Sequence, residues 1–350
     1  MAQRTTKPKK RGAMPPTKKR AAAAGSYADL SDIMGPPTMS RLSHRANYDV
    51  HTVREKPLVL YEDHRSLFFV LWYALHAAKV IERAPLLIYF DGHDDAKPVS
   101  GKALARLREL RAGAPTAREV FDFVEWELSP LDDDWLLAAM ELGLVGDAIC
   151  VGASCTPNLD SHADLDPEAV ESARRMRELF SGAKGKDEPH RVLPGRGEEL
   201  CARYEDHGGD SHRIWLLPHL WKALATRGAL EDAVRASYFG SLWDALDWDP
   251  SSGWFKGTTG LTPIVLDVDL DCFAISAEGG TFAWPPRFFK RFTERSDSGQ
   301  TALDFLAGLE HRVAFRTVAR ESPYCGGTAD SENILASLDH VLWNGELLDL

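Results

Sequence analysis

Three short runs gather the residue types that bind divalent cations: Glu62-Asp63-His64, Asp91-Gly92-His93-Asp94-Asp95 and Asp267-Val268-Asp269-Leu270-Asp271. Each follows an apolar stretch (PLVLY, PLLIYF and PIVL) of the kind that forms a buried strand. In an extended chain, residues two apart face the same side. Asp91, His93 and Asp95 would then present two carboxylates and an imidazole together, and Asp267 and Asp269 would add two more carboxylates. Burying such groups unpaired costs on the order of several kcal/mol each. Neither the 91–95 nor the 267–269 run, nor its apolar flank, holds a Lys or Arg to offset that cost. A pair of divalent cations is the simplest compensation, and an oxygen and imidazole donor set suits Mn²⁺ better than a closed structural Zn²⁺ site. Asp94 and Asp271 are read as outlying or solvated, and Cys272 as a small packed residue. A phosphohydrolase built on His93-Asp94 alone would leave Asp267 and Asp269 unexplained.

The surrounding pattern says what positions these runs. Strands are expected within 57–64 and 85–95, each an apolar run with a polar tip, and at 147–154, 212–218 and 261–271, with a last core strand near 314–322. Between them, RSLFFVLWYALHAAKVIERA, KALARLREL, AREVFDFVEWEL, DDDWLLAAMELGLV, DPEAVESARRMRELF, RFFKRFTER, TALDFLAGLEHRV and SENILASLDHVLWNGEL read as helices by their apolar spacing. Alternating strands and helices predict an α/β fold with a mostly parallel central sheet covered on both faces. In such a sheet ligands bind past the carboxyl ends of the strands, which is where all three acidic runs fall.

Residues 1–45 are rich in Lys, Pro, Ala, Gly and Ser and are read as a disordered basic tail; 46–350 are read as one catalytic domain, with a loop-rich insertion at about 181–210. Of the 350 residues, 44% are hydrophobic, enough to bury a large core. Residues 1–20 hold eight of the 41 basic residues and none of the 52 acidic ones, so the body is more acidic than the overall −11. That balance disfavours nucleic acid as a partner and favours a cationic ligand. No apolar run is long enough to span a membrane. The basic start lacks the apolar stretch of a secretory signal, and five scattered cysteines without a C-x-x-C pair point to a reducing, cytoplasmic setting.

D-G-H-D-D together with V-L-D-V-D-L-D resembles the arginase and agmatinase superfamily, whose signatures are D-x-H-x-D and D-x-D. Within it, E-D-H-R-S-L-F, I-Y-F-D-G-H-D-D, W-E-L-S-P-L-D-D-D-W, I-V-L-D-V-D-L-D-C-F and T-V-A-R-E-S-P-Y resemble the peptide arginase family over residues 50–345, with 181–210 unmatched. The resemblance implies a three-layer arginase/deacetylase-like fold and two Mn²⁺ ions. It implies His64 and Asp95 as ligands of one ion and His93 and Asp269 of the other, with Asp91 and Asp267 bridging. It further implies Glu321 as the carboxylate that grips a guanidinium, with Asp95 or a histidine relaying a proton to the leaving amine. The implied activity is hydrolysis of peptidyl arginine to ornithine and urea by a hydroxide bridging the two ions, on an arginine-containing peptide partner. An agmatinase-like or deacetylase-like hydrolase of a small substrate is the alternative, as is a non-catalytic metal- or peptide-binding relative. The proton-shuttling histidine of arginases has no clear match; His162, His190, His207, His212 and His219 are the candidates. Motifs that read the α-groups of a free amino acid are not evident.

Overall fold

The computed structural model describes residues 38–44, 47–152, 201–217, 248–249, 254–255, 262–277, 280–295 and 301–348. The expected helix at 166–180, residues 181–200 of the expected insertion, residues 1–37 and three candidate histidines (His162, His190, His219) lie outside them.

The apolar runs become the strands of one eight-stranded sheet. These are β1 (Asp49–Val53), β2 (Lys56–Tyr61), β3 (Leu86–Phe90), β4 (Ala148–Val151), β5 (Cys201–Glu205), β6 (Ser211–Leu217), β9 (Ile264–Asp269) and β12 (Val313–Ala319). Two short antiparallel ladders lie apart, β7 (Trp248–Asp249) with β8 (Trp254–Phe255) and β10 (Ala274–Ala277) with β11 (Gly280–Ala283). The order is β1-β2-β12-β9-β3-β4-β6-β5. The six inner strands run parallel, and only the outer pairs, β1 with β2 and β5 with β6, are antiparallel. The chain passes from β2 to β3 and leaves a gap that β9 and β12 later fill. The carboxyl ends of β2, β12, β9 and β3 therefore stand side by side at a topological switch point.

Alternation along the strands sends side chains to two separate cores. Val59, Tyr61, Leu87, Tyr89, Val265 and Phe315 face one layer, and Leu58, Leu60, Ile88, Leu266, Val268 and Val318 face the other. The first layer is built by α1 (Ser66–Trp72), α2 (Gly101–Ala112), α3 (Ala117–Trp126) and α4 (Trp135–Glu141). The second contains α5 (Ala302–Leu309), α6 (Thr328–Leu338) and the aromatic group Phe273, Trp284, Phe289 and Phe292. The result is a three-layer α/β sandwich. Helix starts follow local chemistry: Thr116 with Glu119, and Thr301 with Asp304, form capping boxes that satisfy the first backbone donors of α3 and α5.

Three departures from the sequence reading have local causes. The helix expected over 65–84 ends early. After Trp72 it widens into a single π turn at Tyr73–Ala77, Lys79 turns left-handed (φ 52°), and the Val80 N–H closes onto the Ala74 carbonyl. Cys201–Glu205, inside the stretch read as loop-rich, pairs antiparallel with β6 as an edge strand too short to signal itself. Met39 and Leu42, inside the stretch read as tail, are buried in the first core. Among the described residues, no helix is long and apolar enough to cross a membrane.

Candidate metal centre

The four adjoining strand ends bring the acidic runs together. His64 follows β2 on the turn that opens α1, Asp91 follows β3, Asp269 ends β9, and Glu321 lies two residues past β12. Three groups of ligand atoms lie within 4.8 Å of one another: His64, Asp91, Asp95 and Asp269; Asp91, His93 and Asp271; and Asp269, Asp271 and Glu321. Asp91 is shared by the first two and Asp269 by the first and third, so the groups form one continuous cluster. Its members are buried except His93, whose side chain is 60% exposed.

Local turns produce this convergence, more than strand alternation does. Past β3 the chain leaves the sheet at once: the Asp91 side chain accepts from the His93 N–H at 2.6 Å, and Asp95 adopts φ 46°. The hydroxyl of Tyr89 donates to the Asp94 carbonyl at 2.9 Å and pins the loop, and Asp94 itself is buried outside the ligand groups. Past β9, the Asp269 side chain accepts from the Asp271 N–H at 3.1 Å and caps a 3₁₀ turn at Leu270–Phe273. That turn swings Asp271 back over Gly92, whose N–H donates to its Oδ1 at 3.2 Å. A Cβ on Gly92 would sit 3.2 Å from the same oxygen, so the Asp271 carboxylate would have to give by a few tenths of an ångström to admit one. Nearby, Gly152 (φ 104°) passes so close to Cys272 that a Cβ would meet its sulfur at 2.6 Å.

Asp271 is thus brought into the cluster, although the sequence reading set it outside. Asp267 is placed behind the cluster. Its Oδ1 accepts from the hydroxyls of Tyr61 (3.0 Å) and Thr317 (2.6 Å), and its Oδ2 lies 2.7 Å from Nε2 of His64. The other ring nitrogen of His64, Nδ1, faces Asp95 at 2.8 Å, Asp269 at 3.1 Å and Asp91 at 3.3 Å. Trp135 completes the wall, with its ring 4.8 Å from that of His64 and its Nε1–H donated to Asp95 at 2.7 Å. Glu321, left-handed at φ 42°, accepts from the His64 N–H at 2.9 Å. Beside it stands Asp132, also left-handed (φ 55°), within hydrogen-bond reach of Glu321 and 3.2 Å from Nε of Arg65. Tyr61, Thr317, Trp135 and Asp132 escaped the sequence reading. Only W-E-L-S-P-L-D-D-D-W, which contains Asp132 and Trp135, carried a signal.

The electrostatics describe a site short of positive charge. Burial, then the Asp95 charge, raises Asp91 well above the usual carboxylate range. Burial and the neighbouring Asp271 push Asp269 up to about 7, and burial with Asp269 pushes Glu321 up to about 11. Burial opposes a charge on His64, but Asp267 and Asp269 outweigh it and raise its pKa. The Asp271 hydrogen bond takes His93 up to about 10. Every one of these shifts holds protons where cations would otherwise sit. His64 Nδ1 and Asp91 Oδ2 are buried without a hydrogen-bond partner, and both point into the first ligand group. Orphaned donor atoms of this kind, in an all-oxygen-and-imidazole set, fit one or more hard divalent cations.

The two described histidines proposed as proton shuttles lie elsewhere. His212 sits at the amino end of β6, where its Nδ1 donates to the Gly146 carbonyl at 2.6 Å, and His207 Nδ1 bonds Glu141 at 2.8 Å. Both are at the opposite edge of the parallel sheet from the cluster. They belong to a buried lock in which Tyr204 donates to Glu141 and Arg111 to Asp206.

No protein-family model matches the chain, and no curated protein matches it. What the structure defines is a class: a mostly parallel α/β sandwich with a clustered His/Asp metal-binding site at the carboxyl ends of adjacent strands. Fold and site together agree with the broad ureohydrolase superfamily.

Proposed function

We propose that the protein is a dimetal hydrolase of guanidinium groups, acting on an arginine side chain within a peptide and producing ornithine and urea. The observation that carries this reading is the position of Glu321: its carboxyl reaches within 4.8 Å of ligand atoms of Asp269 and Asp271. A guanidinium held there by paired, charge-assisted hydrogen bonds would have its carbon over the metal cluster. In this reading His64, Asp91, Asp95 and Asp269 hold one Mn²⁺, and Asp91, Asp269, His93 and Asp271 the other. Bound cations of this kind lower the pKa of water enough to supply a nucleophile near neutral pH. The chain's own groups do the rest. Glu321 and Asp132 orient the cationic substrate, Trp135 and His64 exclude water from one wall, and Asp95 can receive and pass on a proton toward the departing amine. Water adds to the guanidinium carbon, the bond to the side-chain nitrogen breaks, and that nitrogen takes the proton.

A peptide is favoured over free arginine because the sequence carries no evident motif for reading the α-groups of a free amino acid. Agmatine also lacks an α-carboxylate, so an agmatinase-like activity is the second reading. Mass spectrometry of arginine peptides and of agmatine incubated with the Mn²⁺-loaded protein separates them. Peptidyl hydrolysis predicts loss of CH₂N₂ per arginine with one urea released. Turnover of agmatine alone overturns the peptide assignment, and no turnover of any guanidine leaves a binding protein.

A further inference from the structure

We infer that Asp267 is a positioning residue: it holds the Nε2–H of His64 so that Nδ1 presents its lone pair to a cation, and Tyr61 and Thr317 hold Asp267 in turn. The inference rests on the metal-centre reading above. The arrangement is fully enclosed, with His64, Asp267 and Thr317 at 0% exposure and Tyr61 at 1%. A carboxylate has about four acceptor positions. Here one oxygen takes two hydroxyl protons, from Tyr61 at 3.0 Å and Thr317 at 2.6 Å, and the other faces Nε2 of His64 at 2.7 Å. Turning Asp267 forward to bridge two cations would take the shared acceptor from both hydroxyls and leave at least one of their protons unpaired in the core, which is costly.

Strand register makes the arrangement a property of the fold. Thr317 on β12 is the direct partner of Asp267 on β9, and Tyr61 lies on β2 at the far side of β12. All three side chains share the face that carries the first core. A neutral imidazole has one N–H and one lone pair, and the stronger acceptor decides which nitrogen keeps the proton. Asp267 fixes it on Nε2 and makes Nδ1 a better donor, the usual contribution of an outer carboxylate to a metal-bound histidine. Nδ1 is the atom found buried, unbonded and surrounded by Asp91, Asp95 and Asp269.

Two roles for Asp267 make different predictions about the number of bound ions. We would titrate Mn²⁺ into wild type, Asp267→Asn and Thr317→Val by calorimetry, and count ions by elemental analysis at saturation. Circular dichroism would confirm folding, and Thr317→Val serves if Asp267→Asn does not fold. The positioning role predicts the same number of ions per chain in all three. It predicts affinity at one position falling roughly 10–100-fold in Asp267→Asn, and a smaller loss in Thr317→Val. In the protein loaded with diamagnetic Mg²⁺, ¹⁵N spectra should show His64 as the Nε2–H tautomer. A folded Asp267→Asn that saturates with fewer ions than wild type overturns the inference and leaves the metal centre standing. So does unchanged affinity in both variants. A wild type that binds no ion overturns both readings.

Discussion

Replacing a metal ligand ordinarily weakens a metalloprotein, yet at the proposed ligand Asp269 the substitution Asp269→Asn should strengthen this protein when no metal is present. Asp269 is 2% exposed, and burial and Asp271 raise its carboxyl from 3.8 to about 7. A raised acid makes the folded state bind protons more tightly than the unfolded state, so stability falls as pH climbs from about 4 to about 7 and stays low above that. Asn mimics the protonated acid and keeps an oxygen for the Asp271 N–H. At pH 8 the substitution removes a penalty of roughly 4 kcal/mol, and at pH 5 under roughly 2 kcal/mol. For a chain of this size that is a rise in melting temperature of roughly 5 °C at pH 8. Thermal melts with EDTA and with Mn²⁺, from pH 5 to pH 8, would read it. Wild type should gain from Mn²⁺ increasingly as pH rises, because protons and cations compete for the same oxygens. Asp269→Asn should gain little. A variant less stable than wild type in EDTA at pH 8, or a metal-free wild type as stable at pH 8 as at pH 5, would refute the reasoning.

Three further outcomes follow from other parts of the site. Glu321→Gln should retain full metal content and lose substrate binding at least 10-fold, by roughly 1.4 kcal/mol, seen as a raised KM; unchanged kinetics would remove Glu321 from the site. Trp135→Phe keeps the packing on His64 but deletes the donor to Asp95, and should cost about 1–3 kcal/mol of stability in a denaturant titration. Gly152→Ala places a methyl 2.6 Å from the Cys272 sulfur at φ 104°, so the unfolding free energy from a denaturant titration should fall by more than the roughly 0.4–1 kcal/mol that an unstrained Gly→Ala gains.

The parallel sheet and the neighbourhood of the site were legible because buried parallel strands read as continuous apolar runs, and each acidic run stands where such a run stops. The site's register was less legible. Period-two reasoning put Asp267 and Asp269 together on one face, and they do share it. But Asp269 ends the strand by capping a 3₁₀ turn, and the turn, invisible to strand periodicity, brings Asp271 to the cluster. Asp95 reaches the site through a left-handed residue in place of extended chain. Tyr61 and Thr317 read as ordinary strand residues. Their partnership with Asp267 depends on which strands become neighbours, and β2, β12 and β9 are far apart in the chain. His207 and His212 drew notice by residue type alone, and the sheet direction carries them to the opposite edge.

Metal stoichiometry tests the central claim most directly. Equilibrium dialysis against Mn²⁺ at pH 7.5, followed by elemental analysis, should find two ions per chain. Asp91→Asn, which alters a residue of both proposed ion sites and of two of the three ligand groups, should find none retained through gel filtration. A wild-type protein that emerges free of bound cation, or an Asp91→Asn protein that keeps both, would contradict the account.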